Sequence, residues 1–200
     1  AGNYNVTLIA TDVNGCIDTV QGIATVKIAP DAGFNFIQPF CAGVGVPTSN
    51  TSTSQSSTIN SYNWTYNNIS SASPNPVLVF PTAGSYPVSL LITNTNGCSD
   101  SISKNIIIHS NPNPSINTSL TCINEPVQFI GSSINGSSIV DWNWNAGNGM
   151  TDTNQLFNVQ YNQAGNYFVY LSVKDINGCI GDTTKPITIY SKPSSDMIVT

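Results

Sequence analysis

The sixteen residues AGNYFVYLSVKDINGC, which run from Ala164 to Cys179, decide how this chain is organised. The same phrase occurs without a gap as AGSYPVSLLITNTNGC from Ala83 and as AGNYNVTLIATDVNGC from Ala1, so that the three starts are 82 and 81 residues apart. Such a period is too long for a solenoid repeat and fits one small domain per repeat. The sequence therefore predicts a string of tandem domains.

Short segments that contain proline separate the repeats: IAPDAGF, IHSNPNPSI and IYSKPSS. Linkers of this composition are semi-rigid. We expect residues 1–29 to be the C-terminal part of one repeat, 30–109 and 110–190 to be two complete repeats, and 191–200 to open another.

Apolar and more polar residues alternate along the repeated phrase, as in Tyr167, Val169, Leu171 and Val173. Alternation with period two predicts a half-buried strand. Further β-branched runs, bounded by Gly, Asn, Pro and Ser, lie at Val127 to Ile130, Val140 to Trp144, Leu156 to Tyr161 and Thr184 to Tyr190. About seven short strands per repeat predict an all-β chain of tandem antiparallel sandwiches of the immunoglobulin (Ig) type, arranged head to tail.

Each phrase ends in an Asn-Gly pair between two β runs, at Asn14, Asn96 and Asn177. Asn-Gly supplies the positive φ angles of a tight hairpin turn. The Gly-x-Tyr opening indicates a tyrosine corner, in which a tyrosine hydroxyl donates to the backbone a few residues upstream. The tyrosines concerned are Tyr4, Tyr86 and Tyr167. They are either such corners or ordinary core residues.

The composition excludes several classes of protein. Charged residues make up 8% of the chain and the net charge is −5, so a basic nucleic-acid surface is not expected. No apolar run reaches the roughly 18 residues of a membrane span, and we expect no membrane insertion in this segment. A hydrophobic content of 40% is sufficient for folded cores.

The Gly-x-Tyr-x-Val-x-Leu phrase, together with Trp144-Asn145-Ala146-Gly147-Asn148-Gly149, resembles polycystic kidney disease (PKD) domains. Those domains carry Trp-Asp-Phe-Gly-Asp-Gly around the third strand. The first complete repeat departs from this pattern, because the segment that follows Trp64 lacks both glycines. The added cysteines are similar to those of PKD-like repeats in large Bacteroidota surface proteins, including SprB-type gliding adhesins. The resemblance implies a cell-surface adhesin repeat with Trp64 and Trp144 in the cores.

The five cysteines admit three arrangements. Cys41 and Cys98, like Cys122 and Cys179, are 57 residues apart, which fits a disulfide inside each repeat. Sandwich topology instead places the two cysteines of one repeat at opposite poles, about 25 Å apart, which exceeds the reach of a disulfide. In a head-to-tail string Cys41 would then pair with Cys179. Cys16, Cys98 and Cys122 would pair with cysteines outside residues 1–200, and free thiols or metal ligation form the third alternative.

Residues that carry chemistry are sparse. His109 is the single histidine and lies in a linker, so it is either a member of a catalytic group or a solvated linker residue. Asp12 and Asp175 precede turns, and we read them as turn caps; calcium is an alternative without further support, and we predict no cofactor. Trp142 with Trp144 is either a sugar-stacking platform or part of a core.

Three triplets follow the turn cysteines and resemble the Asp-Ser/Thr-apolar acceptor of Bacteroidota O-glycosylation: Asp18-Thr19-Val20, Asp100-Ser101-Ile102 and Asp182-Thr183-Thr184. Their hydroxyl residues are Thr19, Ser101 and Thr183. The alternative is that these triplets are the polar beginning of a strand.

Taken together, the sequence predicts a non-catalytic structural or adhesive segment of an extracellular, cell-surface filament, stiffened by disulfides between repeats. Its expected partners are the neighbouring repeats and, through other parts of the protein, surface glycans or a substratum. The alternative is a spacer or carbohydrate-binding module of a secreted polysaccharide-degrading enzyme.

Overall fold

The computed structural model describes residues 1–55, 57–119 and 121–193, and all regular secondary structure in these residues is β-strand. The expected opening of a further repeat at 191–200 falls mostly on residues 194–200, outside the described residues. Among the described residues no helix is long and apolar enough to cross a membrane.

Sixteen strands follow one another along the described residues. Two precede the first complete repeat: β1 (Gly2–Thr11) and β2 (Ile17–Val26). Seven form the first repeat: β3 (Phe34–Phe36), β4 (Gly45–Asn50), β5 (Ile59–Tyr66), β6 (Ile69–Ser71), β7 (Val77–Val79), β8 (Gly84–Asn94) and β9 (Ser99–Ile108). Seven form the second: β10 (Pro114–Thr118), β11 (Pro126–Ser133), β12 (Ile139–Asn145), β13 (Thr151–Asp152), β14 (Leu156–Gln160), β15 (Gly165–Asp175) and β16 (Ile180–Ile189).

Each repeat contains one three-stranded and one four-stranded sheet. The sheets of the first repeat have the orders β3-β4-β7 and β6-β5-β8-β9, and those of the second have the orders β10-β11-β14 and β13-β12-β15-β16. Adjacent strands in these sheets run antiparallel, as in the pairs β11–β14, β12–β15 and β15–β16, and β1 pairs with β2 in a separate antiparallel hairpin. The predicted all-β, Ig-like class is confirmed.

The chain forms two compact units that do not follow the repeats. One consists of residues 1–38, 45–78 and 85–106, and the other of residues 39–44, 79–84 and 107 onward. The segment that carries Cys41 therefore groups with the second repeat, although it belongs to the first by sequence.

A tryptophan occupies the core of each repeat. Trp64 is fully buried and meets the Phe34 ring edge-on, with the ring centroids 4.8 Å apart. Trp144 is fully buried between Phe129 and Phe157, at 6.2 and 6.1 Å. Each pair joins the two sheets of its repeat. Since a buried Phe-sized side chain contributes about 1.5–3 kcal/mol, these aromatic residues supply much of the core energy.

The hairpin turns differ from the expected tight turn in which both asparagine and glycine have positive φ angles. In all three, only the glycine has a positive φ: 85° at Gly15, 80° at Gly97 and 83° at Gly178. Gly178 N–H donates to Asp175 C=O at 3.0 Å, and Asp175 N–H donates to Cys179 C=O at 2.9 Å. This is a three-residue loop, a turn followed by one left-handed glycine, and the asparagine before the glycine does not need a positive φ.

Candidate functional site

The residue before each three-residue loop fixes the backbone of the following cysteine. One side-chain oxygen of Asp175 accepts hydrogen bonds from Asn177 N–H at 2.9 Å and from Cys179 N–H at 2.8 Å. Asn94 accepts from Asn96 and Cys98 in the same way, at 3.1 and 3.0 Å. Asp12 accepts the equivalent two bonds from Asn14 and Cys16, at 2.9 Å each. The same pair of hydrogen bonds therefore fixes the backbone of all three turn cysteines.

The environment of this capping residue varies along the chain. Asp175 and Asn94 are buried, with 3% and 1% of their surface exposed. The Asn94 amide also donates to Ile28 C=O at 3.1 Å, a bond that a carboxylate could not make. Asp12 is exposed, and the backbone N–H groups of Cys16 and Asn14 hold the pKa of its carboxyl below 3.8. Capping is therefore the observed role of Asp12 and Asp175.

A second loop presents the other cysteine of each repeat. Cys41 forms a parallel bridge with His109, in which Ala42 N–H donates to His109 C=O at 2.9 Å and His109 N–H donates to Phe40 C=O at 2.8 Å. Cys122 forms the same bridge with Tyr190. In the structure His109 therefore holds the cysteine loop through its main chain.

A disulfide joins Cys41 to Cys179, whose Cα atoms are 5.5 Å apart and whose sequence separation is 138 residues. The bond is buried, since Cys41 is 1% exposed and Cys179 is 0% exposed. It links residues of two sequence repeats within one compact unit. Among the described residues Cys16, Cys98 and Cys122 are free thiols, and Cys16 is exposed.

The tyrosines of the Gly-x-Tyr motif lie in three different environments. The Tyr167 hydroxyl donates to Gln163 C=O at 3.0 Å, four residues upstream, which is the geometry of a tyrosine corner. Tyr86 is half-buried at the equivalent position of the first repeat, whereas Tyr4 is exposed on the β1–β2 hairpin.

Sequence reasoning missed Tyr161. Its hydroxyl donates to Ala146 C=O at 2.8 Å, its ring lies 4.5 Å from that of Tyr167, and burial raises its pKa to about 12. A signal was present, because Tyr161 and Phe80 both stand three residues before the repeated phrase.

The sequence matches the PKD domain family over residues 27–108 and 109–189. The chain belongs to the PKD domain family. The two matches adjoin each other, and both contain the buried tryptophan and both cysteines of a repeat.

Individual relatives extend this comparison. The chain is 28% identical over 165 residues to the pre-pro-metalloprotease PrtV of Vibrio cholerae serotype O1, covering 81% of this chain and 18% of that protein. It therefore spans less than a fifth of this curated relative.

Two solved structures are also similar. The crystal structure of the PKD1 domain of V. cholerae PrtV is 34% identical, with 40% of this chain and 98% of that chain covered and a TM-score of 0.38. Part of a 1.5-MDa bacterial ice-binding adhesin is 12% identical, with 95% and 75% covered and a TM-score of 0.40.

The three glycosylation-like triplets do not share one register in the PKD repeats. Thr19 and Ser101 are exposed, each three residues beyond its turn cysteine. Thr183 lies four residues beyond Cys179 and is half-buried, on the row of β16 that also carries the buried Ile187. A shift of one residue moves a side chain to the other face of a strand. Thr183 is thus less accessible than the other two.

Two further residues of β12, Asp141 and Trp142, make local contacts. Asp141 lies 3.8 Å from Lys174 in an exposed ion pair, and Trp142 packs half-buried against the core of the second repeat. Within residues 1–55, 57–119 and 121–193, no three His, Cys, Asp or Glu side chains are grouped so that they could hold a metal ion. The site thus consists of a capped turn and a bridged loop, which together hold one buried disulfide.

Proposed function

We propose that this chain is a non-catalytic structural and adhesive segment of a long extracellular protein displayed on a cell surface. The observation that carries the proposal is the buried disulfide between Cys41 of the first PKD repeat and Cys179 of the second. A covalent link between successive repeats has a clear use in a protein whose repeats must stay together. It also implies an oxidising compartment, because disulfides rarely persist in the cytosol.

The other cysteines extend the same arrangement along a longer protein. Cys98 follows a capped turn equivalent to the one that precedes Cys179. Cys122 lies in a bridged loop equivalent to the one that carries Cys41. We infer that Cys98 and Cys16 pair with loop cysteines of preceding repeats, and that Cys122 pairs with a turn cysteine of a following repeat. Every repeat would then be linked to both neighbours.

The chemistry of the surface supports weak, repeated contacts. With only 8% charged residues, the chain has little means of strong ion pairing with a partner. Many weak contacts along a string of repeats would produce strong attachment through their effective concentration. Surface glycans or a substratum are the partners that we propose.

Non-reducing peptide mapping of the full-length protein tests the disulfide pattern. Trypsin should release residues 28–104 linked to a peptide that begins at Asp175, because Lys27, Lys104 and Lys174 bound these peptides. A Cys98→Ser variant should keep this link, which distinguishes Cys41 from Cys98 in the same peptide. Recovery of Cys122 linked to Cys179 would contradict the proposal.

Imaging of the whole particle tests the filament. A thin string of many PKD repeats that reaches out from the cell, and a loss of surface attachment when the gene is deleted, are the expected results. A compact particle would contradict the filament. Membership of the Bacteroidota gliding adhesins is a finer proposal, and loss of gliding in the same deletion strain would support it.

A spacer beside a catalytic domain is the second candidate function. Its support is the 28% identity to PrtV, which is named a metalloprotease. The full reading frame separates the two candidates, since many PKD repeats favour a filament and a flanking catalytic domain favours a spacer. For the carbohydrate-binding form of this candidate, binding to a glycan array should disappear in a Trp142→Ala variant.

A further inference from the structure

The Cys41–Cys179 disulfide divides the chain into a closed loop and two tails. The loop contains twelve strands, β4 to β15, which include most of both cores. The tails contain β1, β2 and β3 on the N-terminal side and β16 on the C-terminal side. The buried tryptophans Trp64 and Trp144 both lie inside the loop.

Through covalent bonds, tension on the two ends of the chain enters the loop only at these two cysteines. One covalent bond connects Cys41 to Cys179 directly, in parallel with 138 residues of folded polypeptide. We propose that this disulfide is a covalent load path that carries tension past the cores of both PKD repeats. This role deepens the proposed structural function and explains why one bond spans parts of two repeats.

The burial of the bond suits this role. Thiol–disulfide exchange requires a thiolate to reach a sulfur atom, and Cys41 and Cys179 are 1% and 0% exposed. The capped turn and the bridged loop hold the two backbones independently of each other, through Asp175 and His109. A small thiol should therefore cleave the bond only after the surrounding structure has opened.

The amount of chain withheld from tension is large. A fully stretched polypeptide extends by at most about 3.6 Å per residue, so the 138 residues of the loop correspond to about 500 Å. With the disulfide intact, the two tails (residues 1–41 and 179–200) can extend to only about 220 Å. Opening of the disulfide would raise this limit to about 700 Å.

The same path could continue along the longer protein if Cys98 and Cys122 are linked to neighbouring repeats. These two cysteines are 24 residues apart, and ten of the intervening residues lie in β9 and five in β10. A strand already extends by about 3.3 Å per residue, so stretching adds little length to it. A string of such links would resist extension even after the cores had opened.

Single-molecule pulling on the 200-residue chain tests the load path. Handles are attached through peptide tags at the two ends, and Cys16, Cys98 and Cys122 are replaced by serine so that no free thiol can exchange with the disulfide. We expect the oxidised molecule to extend to no more than about 220 Å. Addition of dithiothreitol at constant force should then give one further step of about 500 Å.

Each other outcome has a distinct length. Extension to about 700 Å without reductant would overturn the proposal, because the disulfide would then carry no load. In the chain with all five cysteines, a reductant step of about 200 Å would indicate pairing across 57 residues, inside a repeat. A Cys41→Ser/Cys179→Ser variant of the serine background is the matched control, and it should reach full length without reductant.

The control does not decide the test alone, because its loss of the link could also prevent folding. The reductant arm starts from folded, oxidised molecules and needs no such variant. A failed load path with an intact filament would leave the proposed function standing. If the pulling experiment shows the load path but the protein proves to be an enzyme spacer, the load path would stand and the proposed adhesive function would fail.

Discussion

The two complete PKD repeats share a fold but differ at the turn that follows the core tryptophan. In the second repeat Gly147 and Gly149, with φ values of 76° and 91°, turn the chain from β12 to β13. In the first repeat Asn67 and Asn68 do so, with φ values of 43° and 60°, between β5 and β6. Asparagine tolerates the left-handed region better than other non-glycine residues. The first repeat therefore reverses its chain within two residues, whereas the second uses the five residues between β12 and β13.

The difference continues in the bonding of the tryptophans. Trp144 donates from its indole nitrogen to Asn154 C=O at 2.8 Å. The Trp64 indole nitrogen is buried and finds no partner among the described residues. Both repeats thus bury their tryptophan, but within the described residues the indole hydrogen bond is made only by Trp144.

The largest expected effect lies at the position where the first repeat has Asp100 and the second has Gly181. A Cβ at Gly181 would lie 2.0 Å from Pro112 C=O, so the linker would have to move. We expect Gly181→Ala to destabilise the second repeat by about 3 kcal/mol. Asp100→Gly should cost the first repeat only about 1 kcal/mol, through loss of the 2.8 Å bond from Ala32 N–H.

Hydrogen exchange read separately for β8 and β15 measures both effects, because it reports the stability of each repeat. If Gly181→Ala and Asp100→Gly cost the two repeats equal stability, the contact between position 181 and the linker at Pro112 would not be the reason for the glycine.

Substitution of the turn-capping residues should give the next largest loss of stability. Asp175→Ala leaves the N–H group of Asn177 and the buried N–H group of Cys179 without an acceptor, and we expect a loss of about 2 kcal/mol. Asp175→Asn should cost less than about 1 kcal/mol, since Asn94 caps the first repeat in the same way. The reverse change, Asn94→Asp, removes the donor to Ile28 C=O and should cost about 1–2 kcal/mol.

Denaturant unfolding of these three variants, followed by circular dichroism, measures the asymmetry. If both exchanges between Asp and Asn proved neutral, the amide bond to Ile28 would have no energetic role.

The two repeats also differ at Tyr161, which carries a hydroxyl group that the equivalent Phe80 lacks. Tyr161→Phe leaves Ala146 C=O without its buried donor and should cost about 1–2 kcal/mol at pH 7. Folding raises the pKa of Tyr161 from 10 to about 12, so its contribution is fully present below pH 10 and is lost as the pH rises toward 12.

The stability difference between wild type and variant should therefore shrink between pH 10 and 12. Chemical denaturation in the background without free thiols measures this difference. A difference that stays constant with pH would contradict the assignment to the hydroxyl.

The smallest effect concerns the tryptophans. Trp64→Phe and Trp144→Phe remove the same volume, but only the second removes a hydrogen bond. We expect Trp144→Phe to cost about 1 kcal/mol more than Trp64→Phe, again by hydrogen exchange in β15 and β8. An equal cost would indicate that the indole bond contributes nothing to stability.

Local patterns carried most of the prediction. Alternation along Tyr167 to Val173 indicated the strand and its buried face, and spacing between Ala83 and Ala164 indicated the repeat. Opposite-pole geometry indicated that Cys41 would lie near Cys179 rather than near Cys98. These inferences need only strand direction and length, which the sequence pattern contains.

Long-range partners of single side chains were not predictable. The bond from Tyr161 to Ala146 and that from Asn94 to Ile28 join residues far apart in sequence, so neither follows from a local pattern. The grouping of residues 39–44 with the second compact unit was equally hidden. The turn type was misjudged for a local reason, because the capping oxygen at Asp175 favours a three-residue loop over a tight Asn-Gly turn.

The closed loop between Cys41 and Cys179 also changes what a protease can do to the chain. Exposed loop tips are the usual sites of cleavage. A single cut between these cysteines leaves the two fragments joined by the disulfide, so the protein is nicked without being severed. A single cut would release a piece of this chain only if it fell in one of the two tails.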